Sequence, residues 1–238
     1  MVVHLWSGPR SMSTALMYSF AQREHTRVLD EPLYGHFLVR TGAQRPDREA
    51  TLATWPTDAN TALKSMEPTA EEDAGGRLLF CKHMANHFEG LPWSAFEDHR
   101  HVLLFRNPAA VMSSYRAHIE RPSMHDIGYA LQCSLLERLT GAGNPPTVVC
   151  SDRLQAAPEK VLRQLCGALG LEWSPAMMKW SPGPRPEDGP WAPWWYRGVH
   201  ASSGWEVRPP IACDVPDELT DLHHQCKGHY DTLLQHAI

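Results

Sequence analysis

Little net charge marks this chain: 22 lysines and arginines stand against 27 aspartates and glutamates, leaving −5 at pH 7 over 238 residues. A broad polyanion-binding surface is thereby excluded. The positive charges have to act locally, at a pocket, and nucleic acid is not an expected partner. No run approaches the ~18–20 apolar residues of a membrane span, so no membrane partner is expected. Met1 to Trp6 is too short for a signal-peptide core and no basic stretch precedes it, so the expected location is cytoplasmic. None of the six cysteines (Cys81, Cys133, Cys150, Cys166, Cys213, Cys226) falls in a C-x-x-C pair. That pattern reads as reduced core thiol rather than a disulfide framework. Internal repeats and low-complexity tracts are absent too.

What is present suits one domain over residues 1–238, with 42% hydrophobic residues to build its core. The reading adds a polar excursion at 43–76, a Pro/Trp-rich lid at 182–205 and a C-terminal helix at 215–236. The organising stretch is Trp6-Ser7-Gly8-Pro9-Arg10-Ser11-Met12-Ser13-Thr14. It follows a short apolar strand and precedes a helix marked by Leu16 and Phe20. Strand, tight polar loop, helix start is a geometry that aims free backbone N–H groups and the positive helix end at one spot. Arg10 and the hydroxyls of Ser11, Ser13 and Thr14 converge there, which points to a phosphate or sulfate ester. Helix capping accounts for one hydroxyl, not for three and an arginine. The loop is not the ATP-binding pattern G-x-x-x-x-G-K-[ST]: counted from Gly8, Ser13 and Thr14 stand where that pattern has Gly and Lys.

Farther along, apolar strands are expected at Arg27–Asp30, Leu78–Cys81, His101–Phe105 and Thr147–Cys150. Helices are expected from Ser13 to Arg23, from Pro108, from Ile127 to Leu139, and from Val161 to Leu169 with Gly170 as cap. Within 43–76 one helix is expected, around Asn60 to Met66. Strands alternating with helices imply an α/β fold, a mostly parallel sheet covered on both faces. Ligands in such sheets sit at the carboxyl ends of strands. Those ends carry the Ser7–Thr14 loop, Glu31, Lys82-His83, Arg106 and Ser151.

These blocks resemble sulfotransferases that use 3′-phosphoadenosine 5′-phosphosulfate (PAPS). Pro9-Arg10-Ser11-Met12-Ser13-Thr14 is similar to the family's first block, with Met12 in a usual glycine slot. Arg106-Asn107-Pro108, with Ser114 eight residues after the arginine, resembles the second. Arg197-Gly198 and Gly204-Trp205 look like the third. Cys81-Lys82-His83 loosely matches a Lys-Thr-His strand end, and Ser151-Asp152-Arg153-Leu154 stands where the family often has Tyr-Glu-Asp-Leu. The resemblance implies a P-loop-kinase-like sheet and PAPS as co-substrate without metal. By carry-over, Pro9, Arg10, Ser11, Met12, Ser13 and Thr14 hold the 5′-phosphosulfate. Arg106, Ser114 and Arg197, with Ser151 and Gly198 beside them, hold the 3′-phosphate end, and Trp205 or one of the lid tryptophans flanks the adenine. Arg116 and His118 follow Ser114 toward solvent or the nucleotide edge.

Sulfuryl transfer needs charge neutralisation on the leaving phosphate, which Arg10 suits, with Lys82 beside it, and a base for the acceptor hydroxyl or amine. His83 holds a slight edge over Glu31 for the base, because imidazole titrates near neutrality by type. The expected partner is a small-molecule acceptor, and a homodimer stays open. No metal site is expected; in His223-His224-x-Cys226-x-x-His229 the cysteine already belongs to the apolar stripe of the tail helix. The alternatives are a small-molecule kinase, which needs the missing loop lysine, and a nucleotide-binding protein without chemistry.

Overall fold

The computed structural model describes residues 1–115, 119, 121–209 and 213–238, so Arg116 and His118 lie outside the described residues. Five strands form one wholly parallel sheet in the order β2-β3-β1-β4-β5. They are β1 (Val2–Ser7), β2 (Thr26–Asp30), β3 (Leu78–Met84), β4 (Arg100–Phe105) and β5 (Thr147–Cys150). β1 is central. The chain leaves it toward β2 and β3 on one side and later builds β4 and β5 on the other, so the strand order reverses around β1. Such a reversal leaves a crevice at the carboxyl ends.

Period-two alternation gives the sheet two different faces. Val3, Leu5, Val28, Phe80, Val102, Leu104 and Val149 pack with Leu16, Met17 and Phe20 of α1 (Ser13–Phe20). Leu154 of α9 (Ser151–Ala156) and Val161, Leu162 and Leu165 of α10 (Pro158–Leu169) complete that side. The opposite face carries Trp6, Leu79, Cys81, Leu103 and Phe105. It is covered by α6 (Pro108–Tyr115), α8 (Tyr129–Gly141) and α13 (Thr220–Gln235). Three layers result, as continuous apolar strands between helices require.

Local chemistry sets the breaks. Ile127 does not continue into α8: Gly128, at φ 83, closes the short α7 (Met124–Ile127) and opens α8. The 43–76 stretch holds three short helices rather than one: α3 (Arg48–Thr54), α4 (Ala59–Ser65) and α5 (Ala70–Ala74). Asp58 caps α4 by accepting from the Asn60 and Thr61 N–H groups, and Thr69 and Glu72 form a reciprocal capping box on α5. Ahead of them, α2 (Tyr34–Thr41) packs Tyr34 and Phe37 against Trp191 and Tyr196, beside α11 (Ala192–Trp195) and α12 (Arg197–His200). The Pro/Trp-rich segment is therefore ordered by burying its aromatics. No helix among the described residues is long and apolar enough to cross a membrane.

Phe80 stacks on Phe20 at 4.1 Å between β3 and α1, and both are fully buried. Phe80→Ala is expected to cost about 3–5 kcal/mol, because the rigid pair leaves a cavity it cannot close. Denaturant unfolding reads this, and a loss below ~1 kcal/mol would show the contact to be dispensable.

Candidate active site

The carboxyl edge of the sheet opens into a cavity of about 590 Å³. The loop after β1, Glu31, Lys82, Arg106 and parts of the 180–208 segment wall it. The loop passes twice through the left-handed region, at Arg10 (φ 57) and Met12 (φ 65). Met12 thus occupies a conformation glycine adopts freely and other residues reach at about 1 kcal/mol or more. Gly8 is required by space, since a Cβ there would lie 2.8 Å from the Ile127 carbonyl oxygen. The loop carbonyls are tied back. Ser11 Oγ donates to Pro9 O (3.3 Å), Ser151 Oγ to Ser11 O (2.6 Å) and Arg106 Nη1 to Arg10 O (3.2 Å). The helix α1 starts from Met12 without a side-chain cap, so its first N–H groups remain available to a ligand.

Arg10 donates through Nε to Ser114 Oγ (2.9 Å) and through Nη1 to Trp195 O (3.1 Å). Burial, then the neighbouring Arg106 charge, presses the Arg10 guanidinium below its ordinary value. Among the described residues the ionic partner of Arg106 is Asp152, whose Oδ1 stands 3.6 Å from the buried Arg106 Nε, too far for a hydrogen bond. Two adjacent guanidiniums beside the loop amides are the kind of groups that suit an anion. The residues after Arg106 serve the backbone: Asn107 Oδ1 caps α6 by accepting from the Ala109 N–H (2.9 Å), and Pro108 starts the helix.

Across the cavity, the Lys82 ammonium is buried among Asp30 Oδ1 (2.8 Å), Glu31 Oε1 (2.5 Å) and the Tyr196 hydroxyl (2.7 Å). Burial alone would lower its pKa; the two carboxylates outweigh burial and hold it above the ordinary value. Tyr196 Oη donates to Asp30 and accepts from Trp191 Nε1 (2.8 Å). Glu31 sits at φ 45, its N–H donating to Lys82 O (2.8 Å). Burial pushes its carboxyl up to about 7, against the pull of Lys82 and with the help of the Asp30 charge.

His83 faces the other way. It is fully buried, stacks on Trp6 at 4.4 Å, and shares a hydrogen bond of 3.0 Å with His4 Nδ1. His4 Nε2 in turn meets His99 Nδ1 at 2.9 Å. Burial first, then the charges of Lys82 and His101, holds His83 well below its ordinary value. His4, Cys81 and His83 offer buried atoms within 4.8 Å of one another; His4 spends both nitrogens on the histidine chain.

A family model described as a sulfotransferase domain matches residues 1–232. The chain belongs to the sulfotransferase domain family. Two curated relatives from Arabidopsis thaliana are the branched-chain-amino-acid aminotransferase-like proteins 2 and 1, 39% and 38% identical over 99% of this chain. The chain spans 42% of the length of each. Among solved structures, the sulfotransferase domain of the Synechococcus PCC 7002 olefin synthase superposes with a TM-score of 0.57 at 17% identity, covering 94% of this chain and 93% of that one. A sulfotransferase from Alicyclobacillus acidocaldarius gives 0.55 at 11% identity, over 99% and 96%. The architecture is the P-loop-like α/β fold of sulfotransferases.

Within this sulfotransferase domain, Pro9 to Thr14, Glu31, Lys82, Arg106 and Gly198 all line the cavity. Ser114 and Ser151 stand behind the loop, bonded to Arg10 and to Ser11 O. Arg197 is exposed on α12, outside the lining. His83, favoured over Glu31 by residue type, is outside it as well, because neighbours in a strand point to opposite faces and Lys82 takes the cavity side. Tyr196 escaped the sequence reading as a site residue. Only the aromatic density around Tyr196 hinted at burial.

Glu31 sets a pH window for stability. Its carboxyl titrates at about 7 in the fold and at 4.5 in its ordinary state. The fold therefore keeps a proton that the unfolded chain releases, and this contribution is lost as pH rises from the lower value through the higher. Wild type is expected to lose more stability than Glu31→Gln between about pH 4.5 and about pH 7. Unfolding midpoints of both proteins across that range check it; parallel pH curves would overturn the assignment.

Proposed function

We propose that this chain transfers a sulfuryl group from PAPS to a hydroxyl, or an amine, of a small-molecule acceptor. The observation that supports the reading is the pair Arg10 and Arg106, both lining the cavity at the uncapped start of α1. Such a site suits a dianionic ester better than a metal-bound triphosphate, whose loop lysine has no counterpart at Thr14.

The residues present fit the nucleotide. The loop amides and Arg10 hold the phosphosulfate, and Arg106 holds the 3′-phosphate. Trp205, Gly204 and Gln155 line the remaining stretch. When bound, PAPS supplies an activated sulfuryl group on a phosphate leaving group. The chain's own work is positional and electrostatic. Arg10 stabilises charge growing on the leaving phosphate. Lys82, held in place by Asp30, Glu31 and Tyr196, keeps a fixed positive charge at the reacting centre. Glu31, near neutrality and facing the cavity, takes the acceptor proton. The aromatic segment around Trp191 to Tyr196 narrows the acceptor side and keeps water out.

A thermal-shift titration with 3′-phosphoadenosine 5′-phosphate, against ATP with magnesium and against 5′-AMP, tests the donor site. Saturable stabilisation by the first ligand alone is expected. Stabilisation by ATP with magnesium instead would install the kinase reading. Arg106→Ala is expected to weaken nucleotide binding roughly 10-fold or more, and Arg10→Ala to lower transfer by ~100-fold with a smaller effect on binding. Unchanged affinity in Arg106→Ala would remove that residue from the 3′-phosphate.

A further inference from the structure

The imidazole of His87 lies in a 3₁₀ turn just past β3, at Ala85–Phe88. Its ring lines the cavity, yet its side chain is only 2% exposed. The buried Nδ1 has no hydrogen-bond partner among the described residues. Buried ring nitrogens are normally bonded, and leaving one bare costs about 1–3 kcal/mol. On the Nδ1 side the ring is therefore held by packing. It stacks on Tyr34 at 5.1 Å with an interplanar angle of 14°, and packs on Phe37 at 4.7 Å. Both aromatics belong to α2, so the ring's direction is fixed by the fold.

That direction sets Nδ1 3.9 Å from Glu31 Oε2. The separation is too long for a direct hydrogen bond, but one oxygen atom can reach both groups at about 2.8 Å. Glu31 also bonds Lys82 through its other oxygen, Oε1, which leaves Oε2 for a ligand. We propose that the acceptor hydroxyl sits between Glu31 Oε2 and His87 Nδ1, which makes His87 a further catalytic residue of the sulfuryl transfer. This rests on the sulfotransferase reading above.

The chemistry balances without another reactant. The acceptor O–H gives its proton to the Glu31 carboxylate. The oxygen's electron pair forms the new S–O bond, and the S–O bond to phosphate breaks with its pair leaving on the phosphate. His87, protonated on Nδ1, donates to the attacking oxygen and offsets the negative charge that grows as the proton departs. It stays neutral and does not compete as base. Burial disfavours the imidazolium, and so do the surrounding charges of His83, Lys82, Arg45 and His125, in that order.

The test uses three proteins and one donor. His87→Phe keeps the ring stacking and removes both nitrogens, whereas His87→Asn keeps a donor near the Nδ1 position. Transfer from radiolabelled PAPS is followed to water and to a panel of small alcohols and phenols. Affinity for 3′-phosphoadenosine 5′-phosphate is measured in parallel. His87→Phe is expected to bind the nucleotide within about twofold of wild type and to lose ~100-fold in kcat, the usual worth of one transition-state donor. His87→Asn is expected to recover at least ~10-fold of that loss. Both variants keep the rise of rate with pH set by Glu31. Wild-type kcat in His87→Phe overturns the proposal, and so does His87→Asn no better than His87→Phe. A variant that loses nucleotide affinity together with rate assigns His87 to structure instead. Wild-type protein that binds the nucleotide but transfers to no hydroxyl removes the sulfotransferase reading, and this inference with it.

Discussion

One buried ammonium organises the working half of this molecule. Lys82 has its charge almost wholly out of water, and removing an ion from water costs several kcal/mol even after the protein relaxes. The fold offsets this with three oxygen partners drawn from different places: Asp30 at the end of β2, Glu31 just beyond it, and Tyr196 from a segment more than a hundred residues later. Each partner is then tied in turn. Asp30 Oδ2 accepts from the Gly189 N–H, and Trp191 Nε1 donates to Tyr196 Oη. This polar knot and the buried aromatic cluster together dock the segment over the cavity.

The knot also divides the cavity by charge. On the loop side stand Arg10 and Arg106, with Asp152 3.6 Å from Arg106; on the other side, Lys82 lies between Asp30 and Glu31. Among the described residues four non-glycines have positive φ, and three of them, Arg10, Met12 and Glu31, lie along the cavity. Left-handed backbone at such residues stores about 1–2 kcal/mol each. The strain directs the loop amides and the Glu31 carboxylate into the same space, and that shared direction gives the cavity its chemistry.

Parts of this were readable in the residues. The loop between β1 and α1 was legible because its chemistry is local: Pro, Arg and hydroxyls between a strand and a helix. Arg106-Asn107-Pro108 was legible for the same reason, Asn107 capping the helix that Pro108 opens. The break at Gly128 was not, since Ile127 keeps the apolar spacing of the following helix. The Thr69–Glu72 capping box was visible in the letters, in a stretch whose polarity hid its helices. The choice between His83 and Glu31 went beyond the letters. In a strand, adjacent residues point to opposite faces, and no pattern says which face holds the cavity. His83 joined His4 and His99 in a buried chain, while Lys82, one residue earlier, took the open side.

The sequence by itself determined the parallel sheet, the polar loop between β1 and α1 and the family to which they belong. The sheet and the loop follow from hydrophobic period and from chemistry within a few residues, and the family from the resemblance of its motif blocks. The tertiary structure decided which carboxylate faces the cavity, why Lys82 can be buried charged, and where His87 points. These depend on groups such as Asp30, Tyr196, Tyr34 and Phe37 that meet only when distant segments pack. Their energies come from desolvation and from hydrogen-bond geometry in three dimensions, and neither is written along a single strand.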